Sequence, residues 1–394
     1  MKSARIVPSL FGSALVLGWT VSAGGIDPRG RMVTLGLVTL AALASLRSGD
    51  VIPLRLPLFL PVFAALASLS TALIPGLGFE ELFQLFFCAV AANILFPADD
   101  DHHFAMSLVF ASLALAASIH VEALGNYMVL GRAGLGLGAA GFLAGAGVSS
   151  VALAASLPAL WELRTRFARP LFAILSLAIV SAIVLTESRT GLVAAALGMA
   201  WPFLRMPSQS RRLVLLAGAV VLAVATVLFL PKFIDRLDPA YLTNAQRLSM
   251  WRGVGRAFLD RPLLGFGPWS FPVLGQSFLS WPKWELHPHS LILRVAFESG
   301  IIGLLAWASF LAAAVHGAVR SARAAWAPGV MLAILGGSLT DDMFWIPMLA
   351  FVFFAAAATM VAASRYRLSA REASSLLIVS GFAAALLPVL HDIQ

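Results

Sequence analysis

The sequence predicts an all-α polytopic membrane protein with about 12–13 transmembrane helices and one long loop on the outer side that carries short helices. Of its 394 residues, 60% are hydrophobic and only 12% are charged, and the mean hydropathy is +0.90. A water-soluble protein of this length could not bury so much apolar surface. Polar joints also divide the chain into apolar stretches of roughly the length that crosses a bilayer.

The apolar stretches follow one another along the whole chain, so residues 1–394 are predicted to form a single integral membrane domain. The first stretch, residues 6–23, follows Lys2 and Arg5 and also fits a signal peptide ending at Ala23. An uncleaved first helix is the preferred interpretation. The other stretches run over residues 32–46, 57–74, 79–96, 104–121, 134–160, 170–186, 191–204, 213–231, 290–316, 328–340, 344–363 and 374–390.

The positions of the basic residues predict the orientation in the membrane. With a cytoplasmic N-terminus, more than half of the 27 lysines and arginines fall in short inner joints. The short outer joints then hold only Arg29, Arg31, Arg132 and Arg189. Because short loops rich in Lys and Arg stay in the cytoplasm, topology accounts for the net charge of +8, and no nucleic-acid partner is predicted. The single cysteine, Cys88, lies in an apolar stretch and is not expected to take part in redox chemistry.

One outer segment, residues 232–289, is much longer than any other joint and holds most of the polar residues outside the spans. Long loops of this kind are usually functional. Within it, the sequence predicts a helix that starts near Thr243 or Asn244 and ends at Asp260, because a proline follows shortly afterwards.

Arg247 lies on the apolar face of this predicted helix, together with Trp251. Arg252 and Arg256 lie on the opposite side, which is expected to be solvated. A guanidinium on an apolar face needs an anionic partner. The sequence leaves two alternatives open for Arg247: a substrate phosphate, or a structural ion pair with an aspartate of the same loop, Asp235 or Asp238.

The hairpin TESRTG, residues 186–191, joins two predicted spans through so few residues that it stays at the membrane surface. Glu187, Ser188 and Arg189 are therefore fixed at the outer rim. Ionisable groups in such a position are functional candidates. An arginine whose side chain simply reaches from the interface to water is the alternative for Arg189.

His287 and His289 lie where the long loop re-enters the membrane. Imidazole is suited to proton transfer near neutral pH. A metal site is the alternative, but among residues close in sequence only Glu285 could add a ligand, so no metal is predicted. Arg294 and Glu298 are four residues apart in the following helix and are predicted to pair with each other.

Two acidic groups lie in short joints outside this loop. Asp341 and Asp342 occupy an outer joint, where a simple polar turn is expected and a contact with the long loop is the alternative. The acidic and histidine residues at 99–103 fall on the inner side, away from the other candidates, and are not assigned a metal.

Three motifs, taken together and in order, resemble the O-antigen ligase and O-antigen polymerase superfamily of bacterial envelope glycosyltransferases. They are ESRTGLVAAAL, QRLSMWRGVGRAFLDRPLLGFGPWSF and HPHSLILRVAFESGIIGLLAW. The resemblance covers residues 180–365. It implies a GT-C-like enzyme that moves a glycan from undecaprenyl diphosphate to an acceptor hydroxyl at the periplasmic face, with inversion at the anomeric carbon and without a metal or other cofactor.

The resemblance also implies roles for individual residues. By position, Arg189 and Arg247 would hold the lipid diphosphate, and His289 would take the proton from the attacking hydroxyl. The glycines and alanines after Arg132 depart from the N-P-N-like stretch of the family, which puts a contact from that region in doubt. Further substrate contacts are expected from Arg132, Arg252, Arg256 and His287.

Within the superfamily, the favoured function is an O-antigen ligase whose acceptor is the lipid A-core. An O-antigen or exopolysaccharide polymerase is the alternative, disfavoured because only one outer loop is long and the His-Ser-x-x-Leu form is typical of ligases. A protein-directed oligosaccharyltransferase is a third variant, disfavoured because no further soluble region follows the last span. A transporter of lipid-linked sugars is disfavoured, because it would place polar residues near the midplane on broken helices with internal repeat symmetry. Here the polar residues are expected to collect at one outer surface, which favours an interfacial enzyme. The expected location is the bacterial inner membrane, as a multi-pass protein among membrane lipids with its active site facing the periplasm.

Overall fold

A computed structural model describes residues 28–46, 51–72, 75–95, 101–130, 139–141, 145–205, 242–275, 277, 287–320, 326–361 and 366–391. Within these ranges the chain is mostly helical, which confirms the predicted class of an all-α membrane protein. The predicted spans at residues 6–23 and 213–231, as well as Arg132, lie outside the described residues.

The helices follow the predicted order of apolar stretches. They are α1 (Pro28–Ser45), α2 (Leu60–Ser68, with 3-10 turns Leu56–Phe59 and Leu69–Thr71 on either side), α3 (Pro75–Leu95), α4 (Asp101–Leu130), α5 (Ala146–Glu162), α6 (Arg169–Leu185), α7 (Arg189–Arg205), α8 (Leu242–Asp260), α9 (Leu291–Arg320), α10 (Ala327–Ser338), α11 (Pro347–Met360) and α12 (Ala370–His391).

Proline determines where several of these helices begin. Pro61, Pro170, Pro328 and Pro347 each occupy the first turn of their helix. Proline is favoured there because it lacks an N–H that would have no partner in any case, and because its fixed φ suits the helix. These starts could therefore be read from the sequence.

Three helices of the described chain are long and apolar enough to cross a membrane: Phe104–Val129, Ala146–Thr165 and Leu291–Arg320. Apolar helices of 10–17 residues make up most of the remainder. They are Leu35–Ala44, Leu56–Thr71, Glu81–Leu95, Arg169–Leu185, Ala327–Ser338 and Pro347–Met360.

The predicted span over residues 134–160 begins too early. Residues 139–141 are not helical, and α5 starts at Ala146. Gly141 has a φ of 63°, and the Glu122 carboxylate accepts hydrogen bonds from the amides of Ala140 (3.1 Å) and Gly141 (2.6 Å). The apolar composition of residues 134–145 predicted a helix. Residues 139–141 instead form a turn whose amides are satisfied by the Glu122 carboxylate.

A short β ribbon interrupts the otherwise helical architecture. Strand β1 (Val51–Pro53) pairs antiparallel with β2 (Arg367–Ser369), and Ile52 lies opposite Leu368. Both strands come from joints that the charge pattern assigns to the inner side. Their pairing is consistent with that assignment, although the strands themselves were not predicted.

Small residues allow α5, α7 and α10 to pack closely. Gly191 of α7 lies directly against Ser150 of α5, and Gly337 of α10 lies against Val151 of α5. A Cβ on Gly329 of α10 would come within 2.6 Å of the Gly198 carbonyl oxygen of α7. Close backbone approach through small residues is typical of membrane helices.

Helix α9 is broken about a third of the way along at Gly300, which has φ 60° and ψ −154°. The turn that follows α8, residues 262–267 with the sequence PLLGFG, packs into the break. The amides of Phe266 and Gly267 donate to the carbonyls of Phe297 and Glu298, each at 2.9 Å. Backbone groups that a continuous helix would satisfy are therefore satisfied by the turn.

Residues from several predicted outer joints meet at one end of the bundle, here called the His289 end. There, Arg294 pairs with Asp342, and Thr190 lies 2.9 Å from Thr340 between their hydroxyl oxygens. The β ribbon lies among joints that were predicted to be on the other side. The predicted alternation of joints is thus consistent with the tertiary contacts.

Candidate active site

His289 and Asp341 form a hydrogen-bonded pair at the His289 end. His289 Nδ1 lies 3.0 Å from Asp341 Oδ1, and the backbone amide of Asp342 donates to the same oxygen at 2.9 Å. A carboxylate can only accept, so His289 Nδ1 carries the proton and Nε2 holds a lone pair when the ring is neutral. The side chains of His289 and Asp341 are 21% and 20% exposed, which leaves the pair accessible to a substrate.

The backbone at His289 is strained. Its φ is 52°, a left-handed backbone conformation that residues other than glycine seldom adopt. The neighbouring Pro288 carbonyl accepts a hydrogen bond from Trp251 Nε1 of α8 at 3.0 Å, which holds the turn against that helix. Strain of this kind persists only where surrounding contacts impose it, and it is common at functional sites.

His287 lies beside His289 and is buried. Their rings meet edge to face with centroids 4.7 Å apart, and His287 Nδ1 is 3.9 Å from Asp341 Oδ1. Burial lowers the pKa of His287 to about 4, a shift that Asp342 and Asp341 only partly oppose. His287 is therefore neutral near pH 7, and its predicted contact with substrate stays a prediction.

Asp341 is kept ionised by its neighbours. Burial by itself would raise its pKa, but the hydrogen bond and charge of His289, with smaller effects of His287 and Arg247, hold the pKa below its ordinary value. The influence of Arg247 indicates that its guanidinium lies near this carboxylate. The predicted interpretation of Asp341 as a simple polar turn was wrong, and the alternative contact with the loop is confirmed.

Arg247 is half-buried in α8, on the same side of the helix as the buried Val254. Its Nε atom is buried and has no hydrogen-bond acceptor among the described residues. Arg252 and Arg256 are exposed, as expected for the solvated face of this helix. The two proposed ion-pair partners of Arg247 lie outside the described residues; they are Asp235 and Asp238.

The hairpin TESRTG, residues 186–191 and called the SR hairpin below, lies next to the pair of His289 and Asp341. Arg189 is the first residue of α7, and the hydroxyl of the adjacent Thr190 contacts that of Thr340, which directly precedes Asp341. The interaction between the two threonines fixes the start of α7 beside the joint that carries Asp341.

The first turn of α5 also reaches this site. A Cβ added to Gly147 would lie 3.5 Å from Asp341 Oδ2 and 4.0 Å from Ser188 Oγ. Gly147 thus occupies the space between the hairpin and the carboxylate. The positive end of the helix dipole favours the ionised carboxylate.

His287, His289 and Asp341 could also hold a metal ion by their chemistry. In the part of the chain that the structure describes, their ligand atoms lie within 4.8 Å of one another. Two imidazoles and one carboxylate match ligand sets known for zinc. Asp341 is 52 residues from His289, so the sequence offered no signal for this third ligand.

Arg294 is buried in α9 and contacts three carboxylates. It pairs with Glu298 at 3.1 Å, as predicted, and also with Glu81 of α3 at 2.6 Å and Asp342 at 2.7 Å. The last two partners were not predicted, because α3 and the Asp342 joint are distant in sequence. Since Asp342 directly follows Asp341, this cluster also fixes the position of the carboxylate that contacts His289.

Comparisons with known protein sequences give matches to ligases of bacterial polysaccharides. Residues 171–308 match the sequence model of the O-antigen ligase family. A 199-residue stretch is 28% identical to an O-antigen ligase of Pseudomonas aeruginosa, over 48% of this chain and 47% of that protein. A 104-residue stretch is 31% identical to a protein of Rickettsia conorii described as a candidate polysaccharide ligase, over 22% of this chain and 25% of that protein. The matched parts thus span about half of the first relative's length and a quarter of the second's.

Proposed function

We propose, from the match of residues 171–308 to the O-antigen ligase family and the similarity to two ligases, that the chain is an inverting glycosyltransferase of the O-antigen ligase type. It transfers a glycan from undecaprenyl diphosphate to a hydroxyl of the lipid A-core. The observation that carries the proposal is the hydrogen-bonded pair of His289 and Asp341, which lies beside Arg247 and the SR hairpin.

His289 is the general base of the proposed reaction. Its Nε2 takes the proton of the acceptor hydroxyl as that oxygen attacks the anomeric carbon, and the bond from that carbon to the diphosphate oxygen breaks. Asp341 holds Nδ1–H, so that Nε2 faces the acceptor, and it stabilises the imidazolium that forms. Attack opposite to the leaving group inverts the anomeric configuration.

Arg247 and Arg189 stabilise the leaving diphosphate. Undecaprenyl diphosphate gains negative charge as the sugar leaves, and fixed guanidinium groups can bind its oxygens through paired hydrogen bonds. The buried Nε of Arg247 has no acceptor among the described residues and could bind a phosphate oxygen. An ion pair with Asp235 or Asp238, both outside the described residues, is the alternative. With two arginines in this role, the reaction requires no metal or other cofactor.

The proposed setting is the bacterial inner membrane, with residues 1–394 as one membrane domain and the site facing the periplasm. Residues 232–289 form the catalytic loop, within the motif-bearing region 180–365. The exposed Arg252 and Arg256 of α8 are proposed to contact the acceptor, and Arg132 and His287 to contact substrate.

The test is the electrophoretic profile of lipopolysaccharide from a deletion strain that carries wild-type or variant protein. We expect wild type to restore the ladder, and His289→Ala, Arg247→Ala and Arg189→Ala to fail at equal membrane abundance. Arg371→Ala, which removes an exposed arginine from α12, is the matched control and should restore it.

The electrophoretic profile of lipopolysaccharide in the deletion strain distinguishes the related functions. Loss of the whole ladder with accumulation of polymerised lipid-linked glycan indicates a ligase. Core that carries a single repeat indicates a polymerase. An unchanged ladder in the deletion strain contradicts both O-antigen functions and points to exopolysaccharide or protein acceptors. Accumulation of unpolymerised donor on the cytoplasmic face would indicate a transporter.

Chelation tests the proposal that no metal takes part. We expect transfer by purified protein to be unchanged after dialysis against EDTA, because His289 Nδ1 is engaged by Asp341. Loss of transfer that Zn²⁺ restores would instead assign His287, His289 and Asp341 to a metal site.

A further inference from the structure

The buried cluster around Arg294 carries more negative than positive charge. One guanidinium faces the carboxylates of Glu81, Glu298 and Asp342, and the formal charge is −2 when all three are ionised. The side chains of Arg294, Glu298 and Asp342 are at most 5% exposed. An excess charge in such surroundings is costly unless another group neutralises it.

Glu298 has an oxygen atom available for a further ligand. Its Oε2 accepts from Arg294 at 3.1 Å. Its Oε1 is buried and has no hydrogen-bond partner in the part of the chain that is described. A buried carboxylate oxygen rarely lacks a partner, so this atom points to an occupant.

A small cavity lies beside this oxygen. Glu81, Arg294, Glu298 and Ser299 contribute its polar lining, and its volume of about 20 Å³ suits a single water-sized occupant. Ser299 Oγ lies 3.2 Å from Ser68 Oγ, so a hydroxyl oxygen is present as well as the carboxylates. Oxygen ligands are the ones that hard cations prefer.

The break in α9 adjoins the same cavity. Gly300, where the helix is interrupted, directly follows Ser299. In membrane transporters, unwound backbone carbonyls and the C-terminal ends of half-helices at such breaks coordinate sodium ions or protons. The N-terminal third of α9 ends here, and the negative end of its dipole also favours a cation.

We propose that this cavity binds one sodium-sized monovalent cation, with Glu298 Oε1, the Glu81 carboxylate and Ser299 as candidate ligands. The bound cation reduces the excess negative charge around Arg294. It thereby stabilises Asp342 and the joint that carries Asp341. The site is separate from the group of His287, His289 and Asp341.

The test is the thermal unfolding of the purified full-length protein in detergent, with NaCl, KCl or choline chloride at equal ionic strength and pH. We expect a saturable rise of the unfolding midpoint with sodium, by about 2–4 °C, and no such rise with choline. Glu298→Gln keeps the size of the side chain and should abolish the sodium dependence. Glu372→Gln, which removes an exposed carboxylate of α12, should retain it.

Equilibrium binding of radioactive sodium to the wild type keeps the test independent of whether Glu298→Gln folds. About one ion per chain supports the site. Absence of saturable binding, equal midpoints in all three salts, or an undiminished sodium effect in Glu298→Gln would overturn it.

Discussion

At the scale of single residues, two side chains 52 positions apart define the candidate site. The hydrogen bond from His289 to Asp341 fixes the orientation of the ring and the position of its proton. The positive φ of His289 shows that the surrounding contacts impose this geometry. An imidazole held in this way serves as a base with little reorganisation during the reaction.

Asp341→Asn is expected to lower the rate of transfer by on the order of 10²–10⁴-fold, with little change in the KM for the lipid-linked donor. The variant keeps the size of the side chain but removes the charge that stabilises the imidazolium. The measurement is steady-state transfer by purified protein across a pH series. Glu122→Gln removes a carboxylate that bonds the amides of Ala140 and Gly141, and it should leave the pH profile unchanged. A wild-type rate in Asp341→Asn would contradict the role of Asp341.

The buried His287 is expected to make stability depend on pH in the acidic range. Its pKa is about 4 in the folded protein, against an ordinary value of 6.5, so the unfolded chain binds more protons between these values. Stability therefore falls as pH drops from 6.5 towards 4, by at most about 3 kcal/mol from this group. Asp341 adds no loss in this window, because a lowered carboxylate pKa acts at lower pH.

The measurement is the unfolding midpoint at intervals between pH 7.5 and pH 4.5. In His287→Gln the decline should be shallower than in wild type, since no buried imidazole has to become charged. Identical slopes in the two proteins would show that His287 does not contribute.

At the scale of elements, the PLLGFG turn and the broken helix α9 form one structural unit. The turn supplies amides to carbonyls of α9, and the amide of Ile301 donates to the Pro262 carbonyl at 2.8 Å. Gly300 must be glycine, because its φ is positive and a Cβ would lie 2.6 Å from the Pro262 oxygen. Two motifs that are separate in sequence thus depend on each other.

Gly300→Ala is expected to destabilise the protein by about 1–3 kcal/mol, because alanine resists the left-handed conformation and collides with the turn. Gly125→Ala is the matched control: Gly125 lies in α4 with nothing within 4 Å of an added Cβ, so alanine should be neutral or stabilising. Denaturant unfolding of the two variants beside wild type provides the measurement. Equal stability of Gly300→Ala and Gly125→Ala would contradict this account of the break.

At the scale of the whole molecule, close packing of α5, α7 and α10 brings distant joints to the same end of the bundle. Gly191 lies against Ser150, and Gly198 approaches Gly329. Hydrophobic attraction between helices is weak in lipid, so close packing and interhelical hydrogen bonds have to hold the bundle together. The shape of this interface therefore determines the position of the SR hairpin relative to Asp341.

The proposed orientation predicts which end of the bundle is accessible from outside the cell membrane. Cys88, the single cysteine, is buried, so the native chain should not react with a polar maleimide. Arg252→Cys should be labelled in intact spheroplasts by an impermeant maleimide, and Arg371→Cys only after the membrane is permeabilised. Both positions are exposed in the structure. The reverse labelling pattern would invert the orientation, and the candidate site would then face the cytoplasm.

The sequence by itself determined the membrane class, the order of most described helices, the faces of α8 and the pair of Arg294 with Glu298. These features depend on local composition, on helical periodicity or on contacts within one helix, all of which can be read from neighbouring residues. The start of α5 was predicted wrongly, because the Glu122 carboxylate satisfies the amides of a turn in an apolar stretch.

Only the tertiary structure decided which distant residues complete the site. Asp341 was expected in a simple polar turn, yet it orients His289, and Glu81 joins Arg294 from a separate helix. The pairing of β1 with β2 and the packing of the PLLGFG turn into the break of α9 also join segments that are distant in sequence. Each depends on helix packing that brings separate segments together, and neither composition nor periodicity in one sequence specifies that packing.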